Sequence, residues 1–299
     1  MIDIYGELNF NYSSSSDVVV NPLTGGLKFL STTLLNSLVA LLFFLVAGHF
    51  ASPSFVGKVA IIQLVETITS SFFSALPFQL VTREVAHYYA SSQDYTKVIH
   101  TSLTYSLLIS PFFLFLLLFP SYLWLSIPYF IIYLYTSYQF QLLSGLGKFG
   151  EANVGSVIFT LTRWGLSIIA VLYHSVELLI IIWIVGALVK AIYYQRFLPL
   201  RFYIDWQIFN EIVKVGFPIY ITGIVNFISS QGDRVVTAFL LGSYELGVYQ
   251  LVALAAIVPS MLIFSFSNSL IPSSTYYYVK GRDMREMSST ALRIILLVS

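Results

Sequence analysis

Long apolar stretches alternate with short polar turns along most of the chain, at about 27–50, 57–80, 98–119, 121–143, 152–173, 176–196, 213–241 and 247–271. Each can cross a bilayer, because roughly 20 residues rising 1.5 Å apiece span the hydrocarbon core. The pattern therefore predicts an all-α, polytopic membrane protein with eight crossing helices. A ninth apolar run opens near Thr290 and stops at Ser299, so the chain is expected to end inside a helix, as a C-terminally truncated piece of a longer protein. Residues 1–24 are polar, with serines from Ser13 to Ser16 and no Lys or Arg. A secretory signal needs a basic start and an apolar centre, so this segment reads as a polar tail or an upstream mis-start.

Polar residues inside the spans fall in stripes. In the seventh span Thr222, Asn226, Ser230, Asp233 and Thr237 share one helical face, and Arg234 follows Asp233. In the fifth, Asn153, Ser156, Thr160, Arg163 and Ser167 do the same; in the second, Gln63, Glu66, Ser70 and Ser74; in the first, a weaker patch of Thr33, Asn36 and Ser37. Lipid offers such groups no partners, so these faces must meet other helices or a water-filled path. Arg163 and Glu66 both lie near mid-membrane. A guanidinium there costs about 2.5–3.5 kcal/mol on insertion scales, so a carboxylate, water or an anion must compensate it. Two arrangements satisfy this: a bridge between Glu66 and Arg163, or a hydrated cavity in which Arg163 attracts a phosphate. An ion pair that opens for a ligand would combine them. Asp233 and Arg234 sit toward the outer end of their helix, as an interfacial pair or part of a gate. Pro77, Pro111, Pro128, Pro218 and Pro259 allow kinks, and Pro218–Gly223 is the first choice for a hinge. Tyr129, Tyr133 and Phe140 share a face of the fourth span, as packing or as flanks for a sugar or isoprenoid.

Composition and charge complete the frame. The 299 residues are 57% hydrophobic and only 10% charged, far below the roughly 25% of soluble domains. A net charge of +1 without a basic cluster gives no footprint for nucleic acid. Cysteine is absent, and His49, His87, His100 and His174 lack ligand-like spacing, so neither a metal nor a cofactor is expected. With the N-terminus placed in the cytoplasm, Lys28, Arg83, Lys97, Lys148, Lys190, Arg196, Arg201, Lys214, Lys280, Arg282, Arg285 and Arg293 fall inside and only Lys58 outside. The expected domains are a polar tail (1–24), a six-helix bundle (25–196), an interfacial linker (197–212) and a partial second bundle (213–299). Within the linker region, residues 205–214 read as a short interfacial helix with Trp206 at headgroup level. A shift of 190 residues places Gly26, Asn36, Gly57 and Leu80 on Gly216, Asn226, Gly247 and Leu270, and SPSFVG (52–57) on GSYELG (242–247). A same-direction repeat of this kind implies two lobes related by an axis along the membrane normal.

The polar-striped helix, the Gly-bounded turn and the second helix ending in VTREVA (81–86), together with NFISSQGDRVVTAFLLGSYELGVYQL (226–251), resemble the polysaccharide flippases of the multidrug/oligosaccharidyl-lipid/polysaccharide exporter superfamily. The resemblance implies two six-helix bundles around a central cavity, in the plasma membrane. It implies a transporter, not an enzyme, that flips an isoprenoid-diphosphate-linked glycan by alternating access. The substrate-binding set would be Arg163, Glu66, Asn36, Gln63, Ser70, Thr160, Asn226 and Ser230. Asp233, Arg234, Pro218 and Gly223 would serve the gate or the coupling, with Glu66 a place for a coupling proton or cation. Membrane lipids are the other partners. A cation-coupled multidrug antiporter of the same superfamily and, further off, a membrane-embedded enzyme acting on lipid-linked sugars are the competing readings.

Overall fold

The structure, a computed structural model, describes residues 22–72, 76–198 and 200–253, with scattered positions at 274–275, 278–279 and 289. Its elements are α1 (Pro22–Phe50), α2 (Pro53–Phe72), α3 (Phe78–Ala90), α4 (Thr96–Leu108) continued by a 3-10 stretch (Ser110–Leu118), α5 (Ser121–Leu125), α6 (Ile127–Gly145), α7 (Phe149–Thr160), a π-helical turn (Leu161–Leu166), α8 (Ser167–Leu172), α9 (Val176–Gln195) and α10 (Trp206–Leu240). Residues 243–253 begin a further helix, and no strand occurs among the described residues. The chain is thus all-helical and multi-pass, as the apolar pattern predicts.

Among the described residues six stretches are long and apolar enough to cross a membrane: Ser31–Phe50, Pro53–Phe72, Thr96–Leu118, Phe149–Leu172, Val176–Gln195 and Trp206–Leu240. Leu38, Leu42 and Leu45 on α1 and Ile181, Val185, Leu188 and Ile192 on α9 are exposed, as a lipid-facing surface requires. Of the eight expected spans, 247–271 lies mostly outside the described residues. The fourth is α6, whose tyrosines and glutamines lower its hydropathy below that of its neighbours. It needs no lipid compatibility, because it packs against α3, α4, α7 and α9 and buries Tyr129, Leu134, Tyr138 and Leu142 completely.

Three boundaries differ from the apolar pattern, each for a local reason. The run 57–80 is two elements: α2 ends at Phe72 and α3 restarts after Pro77, which has no N–H to continue a ladder. The third span is α-helical only to Leu108, where Pro111 sets the 3-10 stretch that follows. The segment 205–214 is helical as expected, but it is not a separate interfacial helix. Asp205 caps α10 by accepting from the Gln207 and Ile208 amides at 3.1 and 3.2 Å, and the helix then runs 35 residues through Pro218. Its length of about 52 Å exceeds the hydrocarbon core, so the first turns project beyond it.

The turns fall at two ends of the bundle. At the basic end, the approach to α10 is stapled to α4: Lys97 pairs with Asp205 at 3.9 Å, the Asp205 amide donates to Thr101 Oγ1 at 3.0 Å, and Thr104 Oγ1 accepts from the Tyr203 amide at 3.1 Å. At the far end, the two repeat-related turns meet. A Cβ on Gly57 would overlap the carbonyl oxygen of Ser243, and one on Gly247 would overlap that of Pro53 and come within 2.9 Å of the Gly57 nitrogen. Under the 190-residue shift Pro53 corresponds to Ser243 and Gly57 to Gly247, so the contact is reciprocal, as a two-fold axis between the repeats demands.

This close approach predicts that Gly57→Ala destabilises the protein by about 1–3 kcal/mol through overpacking. Gly165→Ala, whose Cβ would meet nothing within 4 Å, serves as the control and is expected to change little. Thermal unfolding of the two purified variants in detergent checks this.

Candidate functional site

The charged centre lies inside the helices that precede α10. Arg163 sits in the π-helical turn between α7 and α8, where a ladder already widened by one residue turns its side chain inward. Arg163 Nη2 meets Glu66 Oε2 of α2 at 2.7 Å, and the Tyr129 hydroxyl of α6 donates to Glu66 Oε1. The Trp183 indole N–H of α9 donates to the Arg163 carbonyl at 3.0 Å and to Ser167 Oγ at 3.1 Å, taking up a backbone acceptor at the irregular turn. The guanidinium carbon lies 4.1 Å from the Trp183 ring centre and 4.5 Å from that of Trp164. Arg163 and Glu66 are buried to 8% and 6% exposure. Charge pairing, a phenol and two indole faces therefore replace the water both ions would otherwise hold.

A second buried cation lies beside them. Lys190 follows Trp183 by seven residues on α9 and so shares its inward face; it is 7% exposed. Its ammonium lies 5.0 Å from the Phe159 ring, 5.5 Å from Tyr194 and 5.9 Å from Phe140. Phe159 is shared, since its ring is also 5.5 Å from the Arg163 guanidinium. The ion pairs among the described residues are Arg83–Glu84, Lys97–Asp205 and Arg163–Glu66, and none includes Lys190. The charge count along the sequence put Lys190 on the inner side with the other basic residues; the structure adds that its side chain turns into the bundle. The seven-residue spacing from Trp183, inside an apolar run, was the available signal. Arg163 Nε, both amide atoms of Asn153, Asn36 Oδ1 and Gln63 Oε1 are buried with no hydrogen-bond partner among the described residues.

A cavity of about 420 Å³ opens separately, where α2 and the start of α3 face α10. Ser70, Ser71, Gln79, Thr222 and Asn226 line it with hydroxyls and amides, Phe78 and Tyr220 with rings, and Gly223 with bare backbone; no charged residue lines it. Tyr220 holds the wall by donating to the Phe72 carbonyl at 2.9 Å.

The residues singled out along the sequence thus divide. Glu66 and Arg163 meet in the charged centre, with Thr160 buried on the same helix face. Asn36 donates to Ser156 Oγ at 3.2 Å and ties α1 to α7. Ser70, Asn226 and Gly223 come together in the cavity, while Ser230 donates to the Asn226 carbonyl at 2.7 Å. Asp233 is exposed, and accepts from the Arg234 amide at 2.8 Å and from the Tyr249 hydroxyl, joining α10 to the helix after it. Pro218 is carried within α10, its carbonyl accepting from Thr222 Oγ1 at 2.9 Å. Ser74 and Pro259 lie outside the described residues.

The fold is that of a multi-pass transporter of the multidrug/oligosaccharidyl-lipid/polysaccharide exporter superfamily. It matches an outward-facing multidrug resistance MATE family transporter of that superfamily with a TM-score of 0.68 at 14% identity, over 94% of this chain and 71% of the other. A crystal structure of MATE in complex with MaL6 matches with a TM-score of 0.70 at 14% identity, over 93% and 71%. A superfamily transporter from Pyrococcus furiosus, described with the words "reverse polarity of binding pocket suggests different function", matches with a TM-score of 0.69 at 14% identity, over 89% and 68%. No curated protein matches. The family model described as "Polysaccharide biosynthesis protein" covers residues 23–277, and the chain belongs to that family.

Arg163→Met strands the Glu66 carboxylate in a buried site and is expected to cost about 3–5 kcal/mol of stability, the usual penalty for breaking such a pair. Glu66→Gln combined with Arg163→Met removes both charges and should recover most of that loss. Unfolding curves for the two single variants and the double variant measure the coupling.

Proposed function

We propose that the protein flips a lipid-linked oligosaccharide or polysaccharide precursor across the plasma membrane, its N-terminus cytoplasmic, by rocking two repeat-related lobes. The observation that carries this reading is the charge balance of the bundle interior. Among the described residues two buried cations, Arg163 and Lys190, are set against one buried carboxylate, Glu66. An uncompensated buried cation is costly, and an arriving diphosphate would neutralise it. Guanidinium matches phosphate oxygens in bidentate fashion, so Arg163 can exchange Glu66 for the substrate as the lobes move.

The neutral cavity on α10 supports the same reading from the sugar side. Serine, threonine, asparagine and glutamine beside the rings of Phe78 and Tyr220 suit the hydroxyls and apolar faces of a glycan. The reciprocal contact of the Gly57 and Gly247 turns closes the far end while the cavity lies toward the basic end, an arrangement that fits loading from the cytoplasm. Glu66, freed when Arg163 turns to phosphate, is then the group to take up a coupling proton. A multidrug antiporter for organic cations calls for the opposite balance of buried charge.

The test is translocation of a fluorescent isoprenyl-diphosphate oligosaccharide by the full-length protein in proteoliposomes. The double variant Glu66→Gln/Arg163→Met should stay folded yet lose translocation by at least about 100-fold, the scale of about 3 kcal/mol. Wild-type rates in that variant would remove the charged centre from the mechanism. Glu66→Gln alone should flatten the dependence of transport on pH.

A further inference from the structure

A second opening lies on the same α2–α10 seam, nearer the far end, and its chemistry is the reverse of the first. It is an apolar slot of about 400 Å³ between α2, the 3-10 stretch with α5, and the last turn of α10. Ile61, Val65 and Ile68 of α2 form one wall, and the rings of Phe115, Phe119 and Phe239 form the rest. Among the described residues no charged or amide side chain lines it, and Tyr122 brings the one side-chain hydroxyl.

Lys58 lies beside one of its lining rings. It is half-buried in the second turn of α2, and positions 58, 61, 65 and 68 fall on one helical face, so the ammonium heads the stripe that forms the wall. Its nitrogen lies 5.8 Å from the ring of Tyr122, which itself lines the slot. No carboxylate among the described residues pairs with it. Along the sequence Lys58 is the one basic residue assigned to the outer side. An isolated cation beside a ring-walled apolar slot is the outline of an amphiphile with an anionic head and a single chain.

We propose that this slot binds the carried isoprenoid lipid in the outer leaflet, its phosphate groups on Lys58 and its chain along Ile61, Val65 and Ile68. The assignment of the chain rests on the function proposed above; the slot and its cation do not. One narrow slot and one cation suit a single-chain phosphate better than a two-chain phospholipid. The polar cavity at the basic end and this slot then mark two stations of the same molecule on one seam.

The experiment is photolabelling of the full-length protein, in phosphatidylcholine nanodiscs, with a polyprenyl phosphate carrying a diazirine in its chain. Labelled peptides should map to 61–68, 115–123 and 239. Lys58→Met should lower that labelling about tenfold, the loss of one charge-assisted phosphate contact, while Lys58→Arg keeps it. Val65→Trp fills the slot and should abolish labelling with Lys58 intact, and the uncharged polyprenol should label weakly. Labelling that ignores Lys58, or spreads evenly to lipid-facing positions such as Leu38 and Leu42, overturns the site. Displacement by a modest excess of phosphatidylglycerol also overturns it, by making an ordinary anionic phospholipid the occupant. Labelling requires no transport: a slot that labels in a protein that moves no glycan refutes the function and spares the site, and the converse refutes the site alone.

Discussion

In hydrocarbon a polar group finds no water, and everything distinctive in this protein follows from where such groups find substitutes. The bond between Arg163 and Glu66 is the central case. It joins α2 to the α7–α8 rod through the middle of the bundle, with α6 and α9 adding Tyr129 and Trp183 to the same knot. Four elements are thereby set in register by one ion pair and its rings. The irregular π turn belongs to that arrangement, since the Arg163 carbonyl is bonded sideways to Trp183.

The knot is not electrically closed. Lys190 shares the Phe159 ring with Arg163 and adds a cation that joins no ion pair among the described residues. A core built only for stability would favour apolar residues of similar volume there, because buried charge seldom repays its desolvation. Charge retained there despite that cost fits the role proposed for it, in meeting an anionic substrate. The seam between α2 and α10 carries the matching gradient, with neutral hydroxyls and amides toward the basic end and an apolar slot flanked by Lys58 toward the other.

Much of this was legible before any fold was known. Apolar runs of membrane length, the polar stripes and the need of Arg163 for a compensating group follow from helical periodicity and the cost of lone charge in lipid; of the two arrangements left open for it, the structure shows the bridge to Glu66. The likeness of 52–57 to 242–247 came instead from the 190-residue shift, and the structure brings those two turns into contact. Less legible was anything decided by a proline inside an apolar run: Pro77 divides one expected span in two, whereas Pro218 leaves α10 unbroken. Hydropathy alone does not separate these outcomes, because what differs is the packing around each ring. The inward turn of Lys190 was hidden for a related reason: near a helix end, the same lysine can reach water or turn inward.

The amino-acid sequence by itself determined the class of molecule, its helices and the residue types that must be hidden from lipid, since these depend only on composition and on a period of 3.6. Tertiary structure decided which hidden groups meet. Stripes spaced alike on α2, α7 and α10 went to different places, Glu66 and Arg163 into the bundle and Ser70 with Asn226 to the seam. Helix rotation and helix contact set that division. It took two glycines at the far-end turns, each lacking the Cβ that would strike the opposite backbone, to let the repeats close on one another.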